Sequence, residues 1–124
     1  SGLFDEHPKM RIVLGHLGEG LPFLIWRAQN HLNKRRRGMP AQKPLPQYLN
    51  ENFWVTTSGQ FTLPPLVCTM LQMGADRIMF ATDYPFEEIS DACVWFDNLQ
   101  ISETDKRKIA RDTANGFFKL GLDT

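Results

Sequence analysis

Apolar and polar positions fall in alternating blocks along the chain: three short β-branched runs, each followed by a longer stretch of spaced apolar residues. MRIVLGH, Met10 to His16, lies between Pro8 and a group of glycines, and its continuous apolar run predicts a buried parallel strand. LPFLIWRAQNHLNKRRR, Leu21 to Arg37, has Pro22 near its start, apolar Phe23, Leu24, Trp26 and Leu32, and the cations Lys34 to Arg37 at its end. Proline in a first turn and cations in a last one suit a helix and its dipole. Gly38 to Asn52 is punctuated by prolines and predicts a long surface excursion or a short helix. NFWVTTSG, Asn52 to Gly59, is aromatic and β-branched, a second strand. In LPPLVCTMLQMG, Leu63 to Gly74, Pro64 and Pro65 open a helix and Gly74 caps it. RIMFATD, Arg77 to Asp83, predicts the third strand, stopped by Pro85. Ser90 predicts the cap of a helix through Leu99 that packs Ala92, Val94, Trp95 and Phe96. Ser102 with Asp105 forms a start like a capping box, for a helix running toward Phe117 and Phe118.

Strands that alternate with helices, each strand apolar throughout, predict an α/β fold with a parallel sheet covered by helices. Three such units leave open sheet edges, whereas eight close into a barrel. One completion of such a sheet is a (β/α)8 TIM barrel, of which these would be the last three βα units, incomplete on their own. SGLFDEHP reads as the tail of a helix running into a loop, and the first residue is Ser1. Residues 1–124 are accordingly expected to be the C-terminal part of one barrel domain whose N-terminal units are absent.

The chain has the length of one domain, 124 residues, enough for a real core. Lys plus Arg equals Asp plus Glu at 14 each, so net charge argues for neither a nucleic acid nor a membrane surface as partner. No apolar run approaches the roughly 20 residues that span a bilayer, and no signal-peptide pattern opens the chain, so a cytoplasmic protein is expected. Cys68 and Cys93 lie far apart with no Cys-x-x-Cys, which suits reduced thiols.

Catalytic groups of α/β folds gather where strands end, and each predicted strand here ends in polar side chains: His16, then Thr57 and Ser58, then Thr82 and Asp83. A lone histidine is more often a satisfied core residue, but Glu19, three positions on, can hold one ring nitrogen while the other faces a reactant. Glu19 also suits the positive end of a helix dipole. Gly15, Gly18 and Gly20 read G-x-x-G-x-G, the reverse of a dinucleotide fingerprint, and no Walker lysine follows. They point to a tight turn instead of a phosphate cradle. Asp83 is a turn cap or a metal ligand, and as a ligand it is incomplete because a catalytic zinc takes three protein ligands. Arg27 could reach a substrate carboxylate with its planar fork, although an arginine on a helix is usually solvated. NKRRRG suits a solvated helix end better than a localisation signal, and His7 and His31 are expected on the surface.

SGLFDEHPKMRIVLGHLGEGLPFLIWR, ENFWVTTSG and GADRIMFATDYPFE, in this order and spacing, resemble the C-terminal part of the amidohydrolase-related aromatic acid decarboxylases. The nearest likeness is to 2,3-dihydroxybenzoate, γ-resorcylate and salicylate decarboxylases, with aminocarboxymuconate semialdehyde decarboxylase more distant. The resemblance implies a metal-dependent-hydrolase-type (β/α)8 barrel and a divalent metal, zinc first, with magnesium or manganese as alternatives. It also implies a small aromatic acid substrate and a homodimer or homotetramer at full length. Asp83 takes the place of the family's metal-binding aspartate; His16 and Glu19 match its proton-relaying pair, and Arg27 and Phe86 its substrate-lining positions. Tyr84 stands where relatives often have tryptophan, and the family's Glu-x-His and mid-barrel histidine ligand have no counterpart here. The implied reaction is the non-oxidative, reversible decarboxylation of a hydroxybenzoic acid such as 2,3-dihydroxybenzoate, this chain carrying part of the site and being inactive alone. The acid that protonates the ring must hold a proton at working pH, which burial or a nearby carboxylate can arrange. A lactone or ester hydrolase of the same superfamily, with metal-activated water, is the alternative within enzymes. An inactive fragment acting as an interaction module is the alternative outside them.

Overall fold

Three strands pair in parallel in the order β1 (Ile12–Leu14), β2 (Phe53–Thr56), β3 (Ile78–Met79) in the computed structural model, which describes residues 1–122. Short α1 (Leu3–Glu6) precedes β1, and a one-turn segment α2 (His16–Glu19) follows it. α3 (Leu21–Lys34) and α4 (Leu45–Asn52) lead to β2, and α5 (Leu63–Met73) with a 3₁₀ turn at Ala75–Arg77 leads to β3. α6 (Ile89–Asp97), α7 (Glu103–Arg107) and α8 (Thr113–Phe118) complete the chain, the last two joined by a π turn at Lys108–Asp112.

The strand register explains the core. Leu14 pairs with Val55 and Val55 with Ile78, which sets three apolar side chains side by side on one face of the sheet. Against that face lie Leu17, Ile25, Leu49, Leu66, Phe96 and Ile109 from six surrounding segments, all buried, with Leu14 packed alongside. Removing such side chains from water is the main stabilising term of the fold. The other face carries Val13, which stays 38% exposed, and Trp54, whose ring meets the Arg77 guanidinium at 4.0 Å and Phe117 edge-on at 4.9 Å. A sheet covered on one face by helices, with Val13 open on the other, is what three units of an eight-unit barrel present.

Each strand is shorter than its apolar run predicts. The run from Met10 to His16 yields Ile12–Leu14 because the chain turns at Gly15. That from Asn52 to Gly59 yields Phe53–Thr56, and that from Arg77 to Asp83 only Ile78–Met79, its first residue being taken by the 3₁₀ turn. The first long helix stops at Lys34, so Arg35 to Arg37 lie beyond it; the Arg36 guanidinium donates to Ala41 O at 2.5 Å, and Arg37 and Gly38 turn the chain at φ 50° and 69°. The proline-rich excursion ends in α4, which is anchored and not merely superficial. Buried Tyr48 donates its hydroxyl to Asp5 Oδ1 at 2.6 Å and accepts from Gln42 and Lys43 N–H, while Asn52 Nδ2 donates to Pro8 O and Met10 O. Gly74 caps α5 at φ 90°, and the Leu63–Met73 helix matches its expected span.

Two expectations for the C-terminal helices need correction. Glu88, not Ser90, occupies the cap position of α6, without a capping side-chain bond, and Val94 points outward at 63% exposure. Ala92 and Phe96 are buried, and Trp95 packs on Phe61 and Phe96. Ser102 caps α7 as expected, its hydroxyl oxygen accepting from Asp105 N–H at 3.1 Å while the hydroxyl donates to the Asp105 carboxylate. His7 and His31 are exposed, Cys68 is half-buried, Cys93 is exposed, and both thiols are free. Among the described residues no helix is long and apolar enough to cross a membrane.

Candidate functional site

The segment GHLGEG leaves β1 in a conformation its composition only partly prepares. His16, Leu17, Gly18, Glu19 and Gly20 all have positive φ, between 49° and 86°. Left-handed backbone costs an L-residue about 1–2 kcal/mol, so three non-glycine residues within one five-residue turn store strain of the kind found at functional sites. Gly18 supplies a second condition: a Cβ there would meet Pro22 Cδ at 3.0 Å and Val55 Cγ1 at 3.2 Å. Leu17 turns into the core at 3% exposure and anchors the turn. His16 and Glu19 stand on its outer side.

His16 is held from both ends. Its Nδ1 lies 2.5 Å from Glu19 Oε1 and its Nε2 lies 3.2 Å from Asp83 Oδ2. Asp83 comes from the far end of the β3 strand run, at φ 72°, and its carbonyl accepts the Phe86 N–H at 2.8 Å; the Tyr84–Pro85 peptide that follows is cis. The Glu19 carboxylate first, and Asp83 second, hold the imidazole above its ordinary 6.5, favouring the doubly protonated ring. Side-chain exposures of 45% for His16, 61% for Glu19 and 29% for Asp83 leave the triad open to solvent and reactant.

A fourth residue makes the meeting possible. Gly59, at φ 62°, sits beneath the pair: a Cβ there would stand 2.9 Å from His16 Cδ2 and 3.0 Å from Asp83 Oδ2. Sequence reasoning treats Gly59 only as the end of a strand. Its signal is a glycine directly after a polar strand end, too common to mark a site unaided. Thr57 and Ser58, predicted as polar strand-end groups, are buried and turned to the fold: the Thr57 hydroxyl bonds the Ala81 backbone and Ser58 pairs with the Thr56 hydroxyl.

The other predicted residues lie elsewhere. Phe86 is 85% exposed, three residues past Asp83. Arg27 lies on the exposed side of α3, in a cavity of about 660 Å³ with Leu24 and His31, apart from the triad. Beside His16 is a different, apolar cavity of about 480 Å³ lined by Leu17, Pro22, Phe23, Pro64, Pro65 and Cys68.

The Asp83 carboxylate is an oxygen donor of the kind a divalent metal takes, while His16 Nε2 faces it as a proton donor. Asp83 fits one position of a coordination shell. Among the described residues no group of three or more His, Cys, Asp or Glu side chains is placed to complete one.

Comparison with known proteins supplies a context for this geometry. The sequence model of the Amidohydrolase family matches residues 1–120. A γ-resorcylate decarboxylase of Rhizobium sp. (strain MTP-10005) is 50% identical over 123 residues, covering 97% of this chain and 37% of that protein. The crystal structure of a dihydroxybenzoic acid decarboxylase from Polaromonas sp. JS666, with bound manganese and the inhibitor 2-nitroresorcinol, superposes with a TM-score of 0.91 at 47% identity, over 99% of this chain and 38% of that one. A 2,6-dihydroxybenzoate decarboxylase complexed with 2,6-dihydroxybenzoate gives a TM-score of 0.91 at 46% identity, over 98% and 38%. The chain thus spans well under half the length of the relatives it matches, with a small parallel sheet that makes part of their barrel.

Proposed function

Because this chain belongs to the Amidohydrolase family, we propose that it is part of a metal-dependent enzyme that decarboxylates a hydroxybenzoic acid without oxidation. Residues 1–124 are then the C-terminal part of one barrel domain, and the activity is that of the longer protein. The observation that carries the reading is His16 held between Glu19 and Asp83 where β1 and β3 end.

Asp83 is a ligand of the divalent metal in this reading, with the other ligands contributed from outside the described residues. When bound, the metal supplies a positive centre that orients the substrate carboxylate and its ortho hydroxyl. Manganese in the Polaromonas structure makes manganese the first metal to try, ahead of zinc. His16 holds the proton, favoured by its two carboxylate neighbours, and passes it by way of Asp83 to the ring carbon that bears the carboxylate. The bond from that carbon to the carboxylate then breaks, its electron pair restores the aromatic ring, and carbon dioxide leaves. One proton is consumed per turnover: Nε2 gives it up, Nδ1 keeps its own proton against Glu19, and solvent reaching the half-exposed ring returns one to Nε2. Phe86 is assigned to the substrate side next to Asp83. Arg27 reaches a substrate only if the rest of the longer protein brings one to the exposed side of α3. Exposed Phe23, Trp26 and Leu71 support assembly of the full-length protein with itself.

Carbon dioxide release by the full-length protein loaded with Mn²⁺ tests the reading, with 2,6-dihydroxybenzoate against 2,3-dihydroxybenzoate. The liganded relatives favour the 2,6-isomer. Lactone opening without carbon dioxide release overturns the proposal. In the same assay His16→Ala lowers turnover by about 10²–10⁴ and leaves the melting temperature within about 2 °C. Equal loss of both makes His16 a structural histidine.

A further inference from the structure

β2 and β3 pair through their backbones in only two registers, Val55 with Ile78 and Thr56 with Met79. The chain then runs from Phe80 to Asp83 before it presents the carboxylate. Backbone groups that leave a ladder need other partners. Thr57 N–H donates to Met79 O at 3.0 Å, and on the opposite edge Phe80 N–H donates at 2.8 Å to Ile109 O, in the π turn between α7 and α8. Both groups of the next residue go to a single atom: Thr57 Oγ1 donates to Ala81 O at 2.9 Å and accepts from Ala81 N–H at 3.0 Å. Thr57 is fully buried, so solvent does not compete for these bonds. Two residues later Asp83 Oδ2 lies 3.2 Å from His16 Nε2.

We infer that Thr57 is a positioning residue: its hydroxyl replaces a missing rung of the β2–β3 ladder and thereby sets Asp83 opposite His16. The functional half of this inference rests on the reaction proposed above; the structural half rests on the hydrogen bonds alone. A hydroxyl suits the role because it both donates and accepts. Serine shares that property. Valine keeps the shape of threonine but leaves the Ala81 N–H and C=O unpaired. Thr57 acts on the reacting groups through Ala81, so its removal disturbs the metal-binding and proton-handling geometry more than substrate capture.

The test uses the full-length protein with three readouts: hydrogen exchange of the Ala81 amide without metal, Mn²⁺ affinity by titration, and kcat with KM. Thr57→Val is expected to lose Ala81 protection, to weaken Mn²⁺ binding and lower kcat by about 10–100-fold each, and to change KM less. Thr57→Ser leaves all of these near wild type. The inference is overturned by an unprotected Ala81 amide in the wild-type protein, by a folded Thr57→Val with unchanged Mn²⁺ affinity and kcat, or by a Thr57→Ser variant as impaired as Thr57→Val. If Thr57→Val does not fold, the wild-type exchange and the serine variant decide between the same outcomes. A wild-type protein that releases no carbon dioxide sinks the proposed reaction, while Ala81 protection still tests the clamp.

Discussion

His16 draws its character from two carboxylates, and a glycine lets one of them, Asp83, reach it. Because its folded-state titration lies above 6.5, the fold favours the protonated ring. Its stabilising contribution is complete below the unfolded value of 6.5 and is lost as pH rises through the raised folded value. Ring-proton NMR of the metal-free protein checks this: the His16 midpoint is expected above 6.5, and Glu19→Gln lowers it because Glu19 is the largest cause. A wild-type midpoint at or below 6.5 contradicts the geometry. Gly59→Ala probes the same contact from below. The added methyl presses on both His16 and Asp83, at a φ that favours glycine. The expected cost is about 1–2 kcal/mol in denaturant unfolding, with activity falling about 100-fold from the displaced pair. An unchanged rate means the pair does not need this spacing. At this scale the sequence shows Glu19 near His16, since three positions in one turn are close in any compact backbone. The approach of Asp83, 67 residues away, depends on strand pairing and has no local signature.

Elements of this chain end where their backbone hydrogen bonds find other partners, and the apolar pattern does not register those points. The three strand runs look seven or eight residues long by side chain, yet after Gly15 the backbone enters a left-handed turn, the Phe80 N–H goes to the Ile109 carbonyl, and the Ala81 backbone goes to the Thr57 hydroxyl. Helix starts are legible when the cap is a local side-chain bond. Ser102 and Asp105 sit three apart and bond as the pattern predicts, whereas Ser90 falls inside α6 because the chain enters that helix one turn after Asp83. Ser102→Ala is expected to cost about 1 kcal/mol in denaturant unfolding and to leave activity untouched, since α7 carries none of the triad. A larger loss, or a loss of activity, would show that the α7 start also holds the π turn against β3.

As a whole molecule the chain is one section of a larger closed sheet, and its own donors reflect that. Among the described residues no group of three or more His, Cys, Asp or Glu side chains is placed around Asp83 to hold a metal. Calorimetric titration with Mn²⁺ is expected to show weak, unsaturable binding by the 124-residue chain and stoichiometric binding by the full-length protein. Tight binding by the short chain overturns the assignment of ligands beyond it. The exposed apolar side chains belong to the same scale: Phe23 at 79%, Trp26 at 71% and Leu71 at 84% stand on the outer helices α3 and α5.

From the sequence alone come the α/β order, the parallel sheet, the helix with Pro22 in its first turn and the one that Gly74 ends, because periodicity, proline and glycine act within a few residues of themselves. The same local reach makes His16 and Glu19 a visible pair. Only the tertiary structure decides that Asp83 completes it, that Gly59 must be bare beneath it, and that the Thr57 hydroxyl serves the backbone and not the reactant. Those three facts join β1, β2 and β3 across long stretches of chain, and register between strands is set by packing over the whole core, which no single segment encodes.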